Sequence, residues 1–128
     1  MKSIQNRSLI FLQIVLLVFL FAGTIHASAD TQKIPVPGMV TMVDLGAKKC
    51  IPCKMMAPIM AELEKEYEDR AAIIFIDVWE NPQAGEQFGI KLIPTQIFYN
   101  AEGEEVFRHE GFFDKASIVA ELQKLGVK

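Results

Sequence analysis

Cysteine and histidine, the usual ligands of structural zinc, are scarce in this sequence. Among 128 residues there are two cysteines, Cys50 and Cys53, and two histidines, His26 and His109. A structural zinc site takes four ligands, mostly from these two residue types. His26 lies beside an N-terminal apolar run, and His109 is far along the chain from both cysteines. We therefore expect no metal site and no bound cofactor, and we interpret His109 as an ordinary strand residue.

Clusters of basic residues are absent as well. The chain has 13 basic and 16 acidic residues and a formal net charge of −3. Residues 1–29 carry two of the basic residues and none of the acidic ones, so the rest of the chain has eleven basic against sixteen acidic residues. A net negative surface repels the phosphate backbone, and no basic stretch with interleaved aromatic residues offsets it. We therefore exclude nucleic acid as a partner.

A hydrophobic run long enough to span a membrane is missing too. The run from Leu9 to Ala22 has roughly 14 residues, whereas a spanning helix needs about 20. Lys2 and Arg7 precede the run and Ala27-Ser28-Ala29 follows it, which is the order found in secretory signal peptides. We predict a signal peptide over residues 1–29 and export to the periplasm or beyond. An uncleaved N-terminal membrane anchor is the alternative.

The remaining residues, 30–128, predict one α/β domain. Short runs of β-forming residues alternate with stretches whose apolar residues recur at helical spacing. The uninterrupted apolar run 71–78 is typical of a strand buried on both faces of a sheet. The pattern predicts a mixed parallel and antiparallel sheet of about four strands, flanked by helices on both faces. The predicted strands are 40–45, 71–78, 95–99 and 105–109, and helices are expected to begin near Cys53, Gln83 and Asp114.

The chemistry of the chain is expected at Cys50-Ile51-Pro52-Cys53. A disulfide between these cysteines encloses only two residues, so it would constrain the unfolded chain very little and is not a structural staple. Cys50 is expected at the mouth of a helix, where unpaired N–H groups and the helix dipole stabilise a thiolate. Cys53, one turn further on, can attack a mixed disulfide formed by Cys50. The motif therefore predicts reversible thiol–disulfide exchange.

Several features together resemble the thioredoxin family over most of the chain, from about residue 42 to 125. The stretch Cys50-Ile51-Pro52-Cys53-Lys54 is similar to the active-site loop of that family, with Ile51 in place of its usual glycine. Asp44, six residues before Cys50, falls on the family's buried acid. Ile93-Pro94-Thr95 resembles the family's cis-proline loop, and two glycines resemble those of its hairpin region, Gly103 and Gly111.

The resemblance implies roles for these residues. A cis peptide is expected at Ile93–Pro94, beside the cysteines, with the backbone of Ile93 binding an extended substrate segment together with Pro94 and Thr95. Asp44 is expected to accept the proton that Cys53 loses before it attacks. The alternative for Asp44 is a solvated acid at the end of a strand, and the alternative for Pro94 is an ordinary turn proline.

The sequence also departs from the family pattern. Gly46 and Lys49 occupy places where aromatic residues usually precede the nucleophile, and an apolar residue within 73–75 replaces the lysine that pairs with the buried acid. Lys48 and Lys49 could stabilise the Cys50 thiolate, or they could simply be solvated surface charges. The family's first strand and helix are missing or rudimentary.

The resulting hypothesis is a monomeric protein-disulfide oxidoreductase with a redox-active Cys50–Cys53 disulfide. It would act on exported proteins, preferentially as a reductant, and a membrane thiol reductase is a candidate partner. The alternative is a periplasmic Cu(I)-binding chaperone that uses both thiolates and a neighbouring methionine, because Cu(I) prefers soft sulfur ligands. The methionines near the motif are Met55, Met56 and Met60, for which core packing is the simpler interpretation.

Overall fold

Four strands and three helices follow one another in the computed structural model, which describes residues 33–128. The predicted signal peptide, 1–29, lies outside this range. No helix within the described range is long and apolar enough to cross a membrane. The elements are β1 Thr41–Gly46, α1 Ile51–Glu66, β2 Ala72–Asp77, α2 Pro82–Gln87, β3 Thr95–Tyr99, β4 Glu105–Glu110 and α3 Lys115–Lys124.

The strands form one mixed sheet in the order β2-β1-β3-β4. β1 and β2 run parallel, joined by α1 as the crossover, and β3 pairs antiparallel with both β1 and β4. The hairpin between β3 and β4 turns at Gly103, which has a φ of 86° that only glycine adopts freely. The expected element order, the mixed sheet of four strands and the hairpin are confirmed.

The expectation for the run 71–78 is wrong in one respect. β2 lies at an edge of the sheet, and Phe75 in its middle is 41% exposed. An uninterrupted apolar run does not distinguish a central strand from an edge strand that has a helix packed against one face. β1 and β3, the two inner strands, are buried along their whole lengths.

Two hydrophobic clusters fill the two sides of the sheet. The first, which we call the α1 face, joins the inner sides of α1 and α3 to the sheet and contains Met42, Met56, Met60, Leu63, Phe98, Ile118 and Leu122. The second, the α2 face, is smaller and has as its buried members Val43, Leu45, Ile97 and Tyr99, with Phe88 just beyond α2 packed against it. Neighbouring residues of β1 and β3 point to opposite faces, as the strand period requires.

Helix ends follow local chemistry. α1 begins at Ile51, two residues earlier than expected, because Cys50 caps it and Pro52 fits the first turn, where no intrahelical acceptor is needed for its missing N–H. α3 is capped by Asp114, whose carboxylate accepts a hydrogen bond of 3.0 Å from the Ser117 N–H. The first of these caps places a sulfur at a helix N-terminus.

Candidate active site

Cys50 lies at the junction of the β1–α1 loop and α1. Its backbone is extended, with φ −79° and ψ 130°, and its Sγ accepts a hydrogen bond of 3.3 Å from the N–H of Cys53. The sulfur therefore occupies the position where an N-cap oxygen normally satisfies the first free N–H groups of a helix. The same groups and the helix dipole would stabilise a negative charge on that sulfur.

Cys53 is the buried partner of the pair. It is 3% exposed, whereas Cys50 is half-buried, and the two Cα atoms are 5.2 Å apart with the sulfurs bonded as a disulfide. Because Cys50 is the more accessible sulfur, an incoming disulfide meets it first. Cys53 is placed to react only with a group already attached to Cys50.

Gly46 leaves the space that Cys53 occupies. A Cβ built on Gly46 would lie 3.3 Å from Cys53 Sγ and 3.2 Å from the ring of Phe75, closer than ordinary contact distance. The aromatic side chain expected at this position in the family pattern would therefore not fit unless α1 or Phe75 moved. The ring of Phe75, which projects from β2, fills part of the space beside Gly46.

Asp44 is fully buried on β1, and its one side-chain hydrogen bond within residues 33–128 comes from Gln96 Nε2, 2.8 Å from Oδ1. Burial raises the pKa of Asp44 from its ordinary 3.8 to about 6, and the Gln96 hydrogen bond acts in the opposite direction. The interpretation of Asp44 as a solvated strand-end acid is excluded. Phe75 is its register partner on β2, so an aromatic ring replaces the family's lysine.

The Ile93–Pro94 peptide bond is cis, as the resemblance implies, and a second cis bond at Ile34–Pro35 had no sequence signal that we recognised. The carbonyl oxygen of Pro94 accepts a hydrogen bond of 2.7 Å from the Gly111 N–H. The hydroxyl of Thr95 donates a hydrogen bond of 2.6 Å to the carbonyl oxygen of Leu92. These bonds hold the loop at the start of β3, with Pro94 and Thr95 buried and Ile93 half-buried.

Comparisons with known proteins agree with this geometry. A family model described as thioredoxin matches residues 27–124. The chain belongs to the thioredoxin family. It is 39% identical over 85 residues to the thioredoxin of Staphylococcus saprophyticus and 40% identical over 85 residues to that of Staphylococcus haemolyticus, which covers 66% of this chain and 81% of each relative. With its cysteine pair, this family member is a protein-disulfide oxidoreductase.

Solved thioredoxin structures share the fold. Chloroplastic thioredoxin z superposes with a TM-score of 0.62 at 27% identity, over 71% of this chain and 81% of that one. Fasciola hepatica thioredoxin superposes with a TM-score of 0.60 at 27% identity, over 69% and 82% of the two chains. The mixed sheet between helices is thus a thioredoxin-like α/β fold.

The lysines around the motif of this thioredoxin-family chain are surface residues. Lys48 Nζ forms an ion pair of 2.9 Å with Glu80, and both side chains are 65% exposed. Glu80 raises the pKa of Lys48 through that hydrogen bond and its charge. Lys49 and Lys54 are exposed. Because Glu80 already neutralises Lys48, Lys48 adds little to stabilisation of a Cys50 thiolate.

Two residues at the site were not anticipated from the sequence. Gln96 holds Asp44, and Asp77 accepts hydrogen bonds from the N–H groups of Lys48, Trp79 and Glu80. These bonds, that of Lys48 first, lower the pKa of Asp77 and fasten the loop before Cys50 to the end of β2. The one sequence feature that could have indicated a role for Gln96 is its long polar side chain, which lies among the apolar residues of a predicted strand.

The methionines near the cysteines have different environments. Met56 and Met60 are buried in the α1 face, and Met56 Sδ lies 3.4 Å from the Phe113 N–H. Met55 is 53% exposed. Within the described residues, no group of three histidine, cysteine or acidic side chains is arranged to hold a metal. The core-packing interpretation therefore describes Met56 and Met60, and it does not apply to Met55.

Proposed function

We propose that this protein reduces disulfides in exported proteins, with Cys50 as the nucleophile. The observation that carries the proposal is the position of Cys50 Sγ at the N-terminus of α1, accepting the Cys53 N–H. A thiolate in this position is stabilised relative to an ordinary cysteine, whose pKa is about 8.5. Cys53, buried behind it, serves as the resolving cysteine.

The reaction proceeds in two exchanges. The Cys50 thiolate attacks a substrate disulfide, which forms a mixed disulfide and releases one substrate thiolate. Cys53 then gives its proton to the Asp44 carboxylate and attacks Cys50 Sγ. The second substrate thiolate then leaves. The cysteine pair has been oxidised to a disulfide, and its two electrons have reduced the substrate disulfide to two thiols.

Asp44 can act as the proton acceptor because of its burial. With a pKa of about 6 it is mainly ionised at neutral pH and is still basic enough to take a proton from a thiol. Cys53 Sγ lies over Gly46, and Asp44 is on the same face of β1 two residues away, about 7 Å along the strand.

Substrate would bind across the cis-proline loop. An extended segment can pair with the backbone at Ile93 in the manner of an added strand, beside Pro94 and Thr95. Ile51 is 77% exposed and Leu92 is 52% exposed, so both can contact apolar side chains of the substrate. Backbone pairing is compatible with substrates of varied sequence.

Reduction is the proposed direction because Pro52 directly precedes Cys53, as in the active-site loop that the motif resembles. Export is supported by the charged, apolar and small-residue order of residues 1–29. An exported reductant needs electrons from the cytoplasm, so a membrane thiol reductase is the partner we propose. The protein would work as a monomer.

Insulin reduction by residues 30–128 tests the proposal. Cys50→Ala should show no turnover above background, whereas Cys53→Ala should accumulate a mixed disulfide with substrate that thiol reagents release. The Cys50–Cys53 reduction potential should lie near that of thioredoxin, about −270 mV, rather than near the about −120 mV of a strong oxidant. Unchanged turnover in Cys50→Ala would refute the nucleophile, and a potential near the oxidant's would refute the direction.

Two further measurements test the remaining points. Expression of the full chain in a bacterium, followed by fractionation and mass analysis, should find a periplasmic protein that lacks residues 1–29; a membrane-bound, full-length protein would indicate the anchor. Tight stoichiometric uptake of Cu(I) with negligible insulin reduction would replace this proposal by the copper chaperone.

A further inference from the structure

Gln96 is an unusual residue for the centre of a sheet. It is fully buried on β3, between the fully buried Thr95 and Ile97, and its side chain points to the α1 face with that of Phe98. The strand registers place one row across this face, namely Phe75, Asp44, Gln96 and His109. Gln96 is thus the next residue to Asp44 in the row.

The contact between the two side chains is direct but incomplete. Gln96 Nε2 donates a hydrogen bond of 2.8 Å to Asp44 Oδ1. The other oxygen of Asp44, Oδ2, and the amide oxygen of Gln96, Oε1, have no hydrogen-bond partner among the described residues. A buried amide that satisfies only part of its hydrogen-bonding capacity costs free energy, and an apolar side chain of similar length would avoid that cost. Packing alone therefore does not account for an amide at this position.

We propose that Gln96 is a positioning residue for the proton acceptor: its amide N–H fixes the orientation of the Asp44 side chain and stabilises the charged carboxylate. The inference rests on the proposed function only for the part that Asp44 takes in the reaction. The family's lysine would do this with a positive charge, but Phe75 occupies that side of Asp44. A neutral donor on the opposite strand replaces it.

The nature of the donor matters for the chemistry. A cation beside Asp44 would make the carboxylate a weaker base, whereas a neutral amide stabilises it less. The charged form is then present near neutral pH and still accepts a proton from Cys53. Without any donor, burial alone would favour the protonated acid, which cannot accept a second proton at physiological pH.

Few other groups near Asp44 titrate. α1 contributes Cys53, β2 contributes the uncharged Phe75, and β4 contributes His109, which lies across from Gln96 in the register. The His109 ring stacks on Phe113 with centroids 4.2 Å apart, and its Nε2 lies 3.1 Å from Phe112 O. The pH dependence of insulin reduction also includes deprotonation of the Cys50 thiol, which precedes its attack. The change between the natural chain and Gln96→Met therefore reports on Asp44, and His109→Asn is the control for the neighbouring imidazole.

The first experiment measures the ionisation of Asp44 directly. Carbon NMR of the side-chain carboxyl, in the oxidised protein, would follow its titration in the natural chain and in Gln96→Met, which keeps the chain length and removes the donor. We expect the Asp44 midpoint to rise by about one pH unit in Gln96→Met, a tenfold change in acidity. Ile97→Met, on the opposite face of the same strand, should leave the midpoint unchanged. An unchanged midpoint in Gln96→Met would overturn the inference.

The second experiment asks whether the effect passes through Asp44. The rate of insulin reduction should rise with pH through a midpoint that moves upward in Gln96→Met and is unaffected by His109→Asn. In an Asp44→Asn background, Gln96→Met should cause no further change. An equal slowing in both backgrounds would mean that Gln96 has only a structural role.

The two proposals fail in different ways. If Asp44→Asn reduces insulin at the natural rate with an unchanged pH profile, the proposed part of Asp44 in catalysis is wrong, and the NMR midpoints still decide whether Gln96 stabilises the carboxylate. If Asp44→Asn is slow but Gln96→Met keeps the natural NMR midpoint, the proposed function stands and the assignment of Gln96 is wrong.

Discussion

Buried polar side chains on the two faces of the sheet differ in how fully they are hydrogen-bonded. On the α2 face, Thr41 Oγ1 bonds to the backbone of Val36 and Met39, and Thr95 Oγ1 bonds to Leu92 O. On the α1 face, Asp44 and Gln96 bond to one another and leave two oxygens without partners in the described structure. The unsatisfied groups thus lie on the face with the larger hydrophobic cluster and the cysteines.

This difference suggests how the fold accommodates its chemistry. Burying an acid and an incompletely bonded amide costs several kcal/mol, and burial of apolar area is the main term that can offset such a cost. The α1 face has two helices to provide that area, whereas the α2 face has the short helix α2 and adjoining loops. Three predictions test the contrast, beginning with the largest effect.

Truncation of a leucine should cost more on the α1 face. Leu63 on α1 and Leu45 on β1 are both fully buried. We expect Leu63→Ala to lower the free energy of unfolding by about 4 kcal/mol and Leu45→Ala by about 3 kcal/mol, since loops around a short helix can close over a cavity more easily than two long helices can. Urea unfolding of both variants measures the difference. A larger cost at Leu45 would show that the α2 face is the more rigid one.

Asp44→Asn should stabilise the oxidised protein at high pH. The folded-state pKa of about 6 exceeds the ordinary 3.8, so the folded protein binds this proton more tightly, and the stability that the protonated acid provides is lost as the pH rises through about 6. The shift corresponds to a cost of about 3 kcal/mol at pH 8. We expect Asp44→Asn to recover most of this at pH 8 and little at pH 4, as measured by urea unfolding.

Asp77→Asn is the matched control, for which we expect a change in stability at high pH of the opposite sign to that of Asp44→Asn. Backbone N–H donors, that of Lys48 first, lower the pKa of Asp77, so its contribution is present above the ordinary 3.8 and is lost as the pH falls through the lower folded value. This variant should be less stable than the natural chain at pH 8, with the difference vanishing in acid. The same pH dependence in both variants would contradict the assignment of Asp44 as a buried acid with a raised pKa.

Two glycines provide the smallest test. A methyl group at Gly46, on the α1 face, would meet Cys53 and Phe75 at 3.2–3.3 Å, whereas one at Gly85, in α2, would meet Ile90 at 3.8 Å. We expect Gly46→Ala to cost about 1 kcal/mol through overpacking and Gly85→Ala to gain about 0.5–1 kcal/mol through reduced chain entropy in the unfolded state. Thermal unfolding should show shifts of opposite sign, and equal shifts would remove this contrast between the faces.

Much of the fold could be predicted from local patterns. The order of elements, the β3–β4 hairpin and the Asp114 cap depend on residues that are close in sequence, so their signals lie within short windows. The position of Cys50 at the start of α1 is local as well, since Pro52 and the apolar spacing of the helix set it.

Contacts between distant residues could not be predicted in the same way. Gln96 is 52 residues from Asp44 and Asp77 is 29 residues from Lys48, and no local pattern links the members of either pair. The exposure of β2 at the edge of the sheet is likewise a property of strand order, and the apolar run wrongly predicted a strand buried on both faces. Each of these features depends on which strands become neighbours.

The sequence by itself determined the reactive pair and its setting: Cys50 and Cys53 at the start of a helix, and Asp44 six residues before Cys50, in an α/β domain. Only the tertiary structure decided the state of Asp44, because burial by α1 and by the neighbouring strands raises its pKa and Gln96 from β3 provides its hydrogen bond. The physical reason is that an ionisation equilibrium depends on desolvation and on nearby donors, and both arise when distant segments pack together.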